Sequence, residues 1–247
     1  LAKDVIDAEI DILREMGVTI RTGVEVGRDV TLEQLRAEGY QAFYLAIGCQ
    51  GGKLLGLPGE DSENVTTAVD FLRTANCGQK KVSGAIVVVG GGNVAIDAAR
   101  VSARSGVSSV TMLCLETRDI MPASREEVAE AEADGVVIQN GWGPRRVIAE
   151  NGHATAVEFC RCLSVYDEEK RFAPTYDETE TILVPADQVI FAIGQSVVWG
   201  DLLKDSRVEL GRGQYPQADG LTYQTAEPDI FVGGDVFTGP KFAIDAI

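Results

Sequence analysis

The chain opens on apolar residues at helical spacing, Ile6, Ile10 and Leu13, flanked by Val5, Ile12 and Met16, which predicts an amphipathic helix that Gly17 stops. Val18-Thr19-Ile20 predicts a strand. Thr31 caps a short helix through Glu38, ended by Gly39, and residues 42–47 form a continuous apolar run closed by Gly48, the pattern of a strand covered on both faces. Gly51-Gly52 and Leu57-Pro58-Gly59 read as a loop, and the next helix is predicted over residues 66–75.

A second unit is expected to start near Gly78. Ala85 to Val89 is a β-branched strand that runs straight into Gly90-Gly91-Gly92, and an Ala-rich helix follows from Asn93 to Arg104, stopped by Ser105-Gly106. Val110 to Leu115 is the next buried strand, Ser124-Arg125-Glu126-Glu127 is a capping box that opens a helix to about Ala133, and Val136-Val137-Ile138 is the strand after it. Strands and helices in this alternation predict an α/β fold with a doubly wound parallel sheet. Between Arg146 and Asp187 the rhythm changes to period two, in Val157 to Val165 and Thr181 to Val184, around a polar stretch from Asp167 to Glu180 that reads as the mobile tip of a hairpin. Val189 to Ile193, ended by Gly194, and Ile230-Phe231-Val232, ahead of Gly233-Gly234-Asp235, are two more strands. One short pattern recurs, an apolar strand ending in Ala46-Ile47-Gly48 and again in Ala192-Ile193-Gly194.

The 247 residues are 45% apolar and 24% charged, the balance of a soluble globular protein of one large or two modest domains. Lys+Arg 22 against Asp+Glu 38 leaves a formal net charge of −16, which argues against nucleic acid or anionic lipid as a partner. No apolar run approaches the roughly 20 residues that cross a bilayer and no export signal opens the chain, so a cytoplasmic location without membrane contact is expected. The five cysteines, Cys49, Cys77, Cys114, Cys160 and Cys162, are odd in number and none is spaced C-x-x-C, so neither disulfides nor a metal site is expected. The one histidine, His153, falls in the turn Asn151-Gly152-His153, and no catalytic side chain is assigned. A start without Met inside a helical pattern, and an end at Ala246-Ile247 in what reads as the first turn of a helix after Gly239-Pro240, lead us to expect a piece of a longer polypeptide.

The candidate chemistry lies in the glycine turn. Gly90-Gly91-Gly92-Asn93-Val94-Ala95 fits G-x-G-x-x-A between a strand and a helix: Gly90 permits the tight turn, Gly92 lets the backbone approach a pyrophosphate, and Ala95 brings helix against strand. The helix start then offers N–H groups and a positive dipole end to the phosphates. Glu116, at the end of the second strand of the unit, stands where a carboxylate accepts hydrogen bonds from the adenosine ribose and repels a 2′-phosphate, which favours NAD(H) over NADP(H). Arg118, two residues on, is the opposing consideration, a cation in reach of a 2′-phosphate.

With these residues placed, the sequence resembles the two-dinucleotide-binding-domain flavin oxidoreductases, in particular the small subunit of glutamate synthase and the flavin segment of dihydropyrimidine dehydrogenase. The resemblance covers essentially the whole chain. It rests on Asp4 to Ile10, Glu25-Val26-Gly27-Arg28-Asp29, Ala46-Ile47-Gly48, Gly90 to Arg100, Met121-Pro122-Ala123-Ser124, Ala192-Ile193-Gly194-Gln195 and Gly233-Gly234-Asp235. It implies a Rossmann-like NAD(P)-binding domain over residues 78–196, inserted into a partial FAD-binding domain made of residues 1–77 and 197–247. By the same resemblance Ala192, Ile193, Gly194 and Gln195 border the nicotinamide dinucleotide, and Ile47, Gly48, Gly234, Asp235, Ala243 and Ile244 border FAD, with Asp235 on its ribityl chain. The family's FAD-binding glycine turn and its iron–sulfur segment are not in this sequence, so FAD is expected in the full-length protein. Paired arginines, usual in NADP-using members, are replaced here by Leu115-Glu116.

The implied activity is hydride transfer between nicotinamide and flavin, with electrons passed to an iron–sulfur domain or a glutamate synthase large subunit. A nucleotide-binding sensor or docking module without catalysis is the alternative outside enzymes. Within enzymes, Tyr166 and Lys170 match the Tyr-x-x-x-Lys of short-chain dehydrogenases but lie in a polar loop, and Cys160-Arg161-Cys162 puts two sulfurs on one strand face, where packing is the simpler expectation than a redox dithiol.

Overall fold

A computed structural model describes residues 3–78 and 82–246. In chain order its elements are α1 (Lys3–Glu15), α2 (Leu32–Ala37), β1 (Phe43–Leu45), β2 (Gly51–Gly52), β3 (Val65–Thr67), α3 (Ala68–Asn76), β4 (Ala85–Val89), α4 (Asn93–Arg104), β5 (Ser109–Cys114), α5 (Arg125–Ala133), β6 (Val137–Asn140), β7 (Trp142–Glu150), β8 (His153–Tyr166), β9 (Phe172–Pro185), β10 (Gln188–Phe191), β11 (Gln195–Ser196), β12 (Ile230–Val232) and α6 (Asp235–Thr238). They divide into two compact units, one of Leu1–Ala46, Trp199–Thr238 and Ala243–Ile247, the other of Ile47–Val198 and Gly239–Phe242.

The larger unit is built on a parallel five-stranded sheet in the order β3-β10-β4-β5-β6. Its central strands β4 and β10 read as apolar runs because both faces are covered, whereas the edge strands β3 and β6 carry polar residues. On one face Ile86, Val88, Val110, Met112 and Ile190 pack against Phe71 of α3, Ile96 of α4 and Val128 of α5. Ala95, Ala98 and Ala99 let α4 lie close on the sheet, all at 0% exposure. On the other face Val87, Val89, Leu113, Val189 and Phe191 meet Val147, Val157 and Phe159 from an antiparallel sheet in the order β7-β8-β9. The β7–β8 turn is Asn151-Gly152, both at positive φ, as a two-residue hairpin loop requires.

The smaller unit holds the parallel pair β1 and β12. Thr31 caps α2 in a full capping box with Gln34, as the sequence predicts for this helix. Arg36 of α2 grips Asp229 with two hydrogen bonds of 2.6 and 2.9 Å, approaches Glu227 at 3.5 Å and lies over the Phe43 ring.

Several elements depart from the sequence expectation. No strand forms at residues 18–20, where Val18 and Ile20 are exposed and a strand has no ladder to join. β1 is covered on one face only, since Tyr44 is exposed between buried Phe43 and Leu45. The residues read as the start of a helix at Thr66 include β3, which pairs with β10, so residues 47–77 pack with the larger unit and the units divide at Ala46 and Val198. The polar stretch 167–180 is a tight turn followed by β9, a 14-residue strand whose exposed polar positions hid its pairing with β8. Ser124 caps α5, but Glu127 does not complete the box, because the Ser124 N–H already donates to Asn93 Oδ1. After Gly239-Pro240 a single tight turn covers Ala243–Ala246; Ile247 lies outside the described residues.

Ile96 is fully buried between α4 and the sheet, so Ile96→Ala is expected to cost about 2–5 kcal/mol in urea unfolding, and a loss under about 1 kcal/mol counts against this packing. In the smaller unit the Arg36 side chain holds the Asp229 carboxyl below its ordinary range. A carboxylate lowered on folding contributes stability above its unfolded value, roughly pH 4, and loses it as pH falls through the folded value. Asp229→Asn is therefore expected to flatten the acid limb of the stability profile below about pH 4, and an unchanged limb counts against the pairing.

Candidate functional site

The described surface has a cavity of about 360 Å3 at the C-terminal ends of β4, β5 and β10. Open parallel sheets bind ligands at this end of their strands. The floor is Gly90, Gly91 and Gly92 between β4 and α4. Gly90 takes φ +139, and a Cβ there would stand 2.3 Å from the Ala192 carbonyl oxygen, so only glycine makes this turn. Gly92, with φ −94, is the N-cap of α4; no side chain caps the helix, and a Cβ on Gly92 would meet nothing within 4 Å. The helix start therefore presents its amide dipoles to open space, a ready anion cradle.

The loop before α5 holds this turn in place. Ala123 N–H donates to the Gly91 carbonyl at 3.1 Å and Ser124 N–H donates to Asn93 Oδ1 at 3.0 Å. Asn93 thus spends its side chain on the scaffold, Val94 follows it in the first turn, and Ala95 is buried against the sheet. Pro122 of the same loop lines the cavity. The segment Met121 to Ser124 acts by bracing the glycine turn.

Glu116 forms the β5 side of the cavity and is only 9% exposed. Its Oε2 would lie 2.6 Å from a Cβ on Gly91, so the carboxylate sits over the glycine turn. The Glu116 carbonyl accepts from Gly141 N–H at 3.1 Å and from Asn140 Nδ2 at 3.0 Å, which fixes the strand tip against β6. Burial, then the charge of Glu116, push the Cys114 thiol up to about 12, so it stays protonated and inert. Arg118 is turned onto α5, where both its terminal nitrogens bond Glu132 at 2.7 and 2.8 Å.

Of the other predicted residues, Ala192 and Ile193 line the β10 side of the cavity. Gly194 and Gln195 are not in its wall: Gly194 accepts from Lys53 N–H, and Gln195 pairs with Gly52 in the β11–β2 ribbon. The two Ala-Ile-Gly segments thus lead into strands that pair with each other. Ile47 and Gly48 begin the larger unit. Gly234 (φ +68), Asp235 at the start of α6, and Ala243 and Ile244 in the tight turn belong to the smaller one.

Sequence reasoning missed the roof of the cavity. Trp142 and Pro144 of β7, Phe172, Pro174 and Tyr176 of β9, and Leu55 complete the wall. A period-two apolar row at 172, 174 and 176 inside an acidic stretch was the available signal. The remaining candidates fall away on geometry. Tyr166 ends β8 and Lys170 sits in the following turn at φ +61, not on a helix. Cys160 and Cys162 are buried, and burial raises both thiols above their ordinary value. His153 starts β8 on the surface, 3.2 Å from Glu63. Among the described residues no group of three His, Cys, Asp or Glu is placed to hold a metal, and no helix is long and apolar enough to cross a membrane.

Residues 8–247 match the family model described as pyridine nucleotide-disulphide oxidoreductase. Over the whole chain, the beta subunit of NADP(+)-dependent formate dehydrogenase from Moorella thermoacetica is 34% identical, the glutamate synthase [NADPH] small chain of Halomonas elongata 33%, and the NAD-dependent dihydropyrimidine dehydrogenase subunit PreT of Escherichia coli O157:H7 32%. The chain spans 35%, 55% and 54% of the lengths of these three relatives. Among solved structures, Mycobacterium tuberculosis FprA in complex with NADPH shares the fold, with a TM-score of 0.71 and 19% identity over 90% of this chain and 63% of that one.

The two outer glycines of the turn separate strain from space. Gly90→Ala is expected to destabilise by about 2 kcal/mol or more, through the positive φ and the Ala192 carbonyl, whereas Gly92→Ala, which exchanges only an N-cap residue in open space, is expected to cost about 1 kcal/mol or less. Equal losses in thermal unfolding of the two variants would overturn this assignment of roles.

Proposed function

The chain belongs to the pyridine nucleotide-disulphide oxidoreductase family, and from that premise we propose that it is the nicotinamide dinucleotide-binding core, with part of the FAD-binding domain, of a flavin-dependent oxidoreductase. The observation that carries this reading is the glycine turn, which opens on a cavity of about 360 Å3 at the start of α4 with the Glu116 carboxylate over Gly91. The residues fit a dinucleotide. Gly90, Gly91 and Gly92, with the backbone of Asn93 and Val94, would hold the pyrophosphate, while Ala95 seats the helix. Glu116 would accept from the adenosine ribose, and the stretch from Ala192 through Gln195 would border the nicotinamide half.

FAD is proposed to engage Gly234, Asp235, Ala243 and Ile244 of the smaller unit. Gly234 and Asp235 follow β12 at its C-terminal end, where parallel strands present ligands, and Gly234 turns the backbone at a positive φ that leaves it bare. Nicotinamide and flavin together supply a hydride donor and acceptor, so no acid, base or nucleophile is asked of the protein. The chain's own residues bind and orient. α4 would point its dipole at phosphate and Glu116 would fix the ribose. Onward transfer to an iron–sulfur domain or a glutamate synthase-type large subunit is supported by relatives named as subunits or a small chain.

NAD(H) is proposed over NADP(H), although the relatives' names include both. Two things support it: a buried carboxylate where a 2′-phosphate would come to rest, and the commitment of Arg118 to Glu132. Calorimetric titration of this chain is expected to show NADH binding at least roughly tenfold more tightly than NADPH, the effect of one unfavourable charge contact, with Glu116→Arg narrowing or reversing the ratio. A parent that prefers NADPH would overturn the role of Glu116, and a variant with unchanged preference would show that this carboxylate does not face the ribose.

A further inference from the structure

The hairpin of β8 and β9 carries an apolar row that the packing of the fold does not use. Phe172, Pro174 and Tyr176 of β9 all line the cavity beside the glycine turn, in a stretch where the register with β8 shifts twice. Around them the hairpin end is acidic, with Asp167, Glu168, Glu169, Asp177 and Glu178. Phe172 is 64% and Tyr176 38% exposed, so neither belongs to the core. Yet both rings are held. Tyr166 braces Phe172 edge-on, with ring centroids 6.4 Å apart, and Tyr176 lies on the bare backbone of Gly143, where a Cβ would come within 2.3 Å of its ring and 2.9 Å of Leu115. Burial pushes the Tyr176 hydroxyl up to about 12, so the ring stays a neutral phenol.

The position of the row along the cavity selects its ligand. Leu115 and Glu116 mark the β5 end, and Ala192 and Ile193 the β10 end. Tyr176 stands at the Leu115 end, the side toward which the adenosine half extends when pyrophosphate rests on the turn. Trp142, which follows β6 at the same end, adds a third aromatic ring to the wall, with the Arg161 guanidinium 5.3 Å from its centroid. We propose that Phe172, Pro174 and Tyr176 of β9, together with Trp142, form the binding surface for the adenine ring of the dinucleotide. The inference rests on the dinucleotide reading above and adds to it the residues that recognise the base. A purine offers a flat π-face that aromatic side chains stack on irrespective of hydrogen-bond pattern, and such contacts are individually strong enough to measure.

The test uses this chain and its Tyr176→Ala, Phe172→Ala, Phe172→Leu and Tyr176→Phe variants, titrated calorimetrically with NADH, with ADP-ribose and with reduced nicotinamide mononucleotide, which lacks adenine. Loss of a stacked ring is expected to weaken NADH and ADP-ribose alike, by roughly tenfold for either alanine variant, with nicotinamide mononucleotide unaffected and Tyr176→Phe near the parent. Phe172→Leu keeps apolar bulk without a ring, and is expected to lose affinity for the same two ligands. Thermal midpoints check that the variants fold. ADP-ribose bound as tightly by both alanine variants as by the parent would overturn the proposal, as would a loss confined to nicotinamide mononucleotide. A parent chain that binds neither NADH nor ADP-ribose would instead bring down the dinucleotide reading, and the adenine surface with it.

Discussion

The backbone turn at Gly90 is the constraint on which the rest of the larger unit depends. Its positive φ sends the chain from the central strand straight into α4, and the Ala192 carbonyl behind it leaves no space for a side chain. That single step places three things together: the uncapped start of α4, the tip of β5 and the end of β10. Gly90 N–H donates to the Leu113 carbonyl and Ala192 N–H to the Val89 carbonyl, so the turn is tied to both neighbouring strands. Moving any one of these three elements would pull against a hydrogen bond or a buried contact on the others.

The two faces of the sheet serve this turn differently. The helix side is packed with small residues on α4, and its close approach fixes where the helix start points. The antiparallel side is a sheet of long strands, packed on the core at one end through Val157 and Phe159 and lining the cavity at the other through β9. One sheet thus stabilises the fold and walls the site. Rigid strands hold rings in place better than a loop would, because each ring on β9 is fixed by a ladder as well as by its packing neighbours.

The fold class was legible because buried parallel strands announce themselves as unbroken apolar runs, and β4, α4 and β5 sit within a residue of where the pattern puts them. The glycine turn was legible for the same reason, since G-x-G-x-x-A carries its geometry in its own sequence. Elements whose partners are distant in sequence were not. β3 has three residues and earns its strand geometry from β10, some 120 residues on, and Val18 to Ile20 has strand-like residues and no ladder. β9 was hidden because strand residues with both faces near solvent lose the alternation that marks half-buried strands. The bracing of the turn by Ala123 and Ser124 rests on backbone N–H groups, which no residue type encodes, although one of them is received by the Asn93 side chain. Likeness to a family flagged Met121 to Ser124, and only the geometry gives the reason.

A chain of net charge −16 is a poor host for anions on average, and this bears on how the proposed nucleotide preference arises. Exposed charges are screened over about 8–10 Å, so acidic surface remote from the cavity does not reach it, and at the glycine turn itself the α4 start and Glu116 are the charges in place. The α4 dipole favours the pyrophosphate that the bare turn can approach. It weakens within about one turn of the helix start, and beyond it Glu116 governs. A dinucleotide with two phosphates places both in the favourable zone, whereas a third on the ribose would extend into the region where Glu116 is the nearest charge. On the proposed reading, discrimination comes from how quickly a helix-end field decays relative to the length of the ligand.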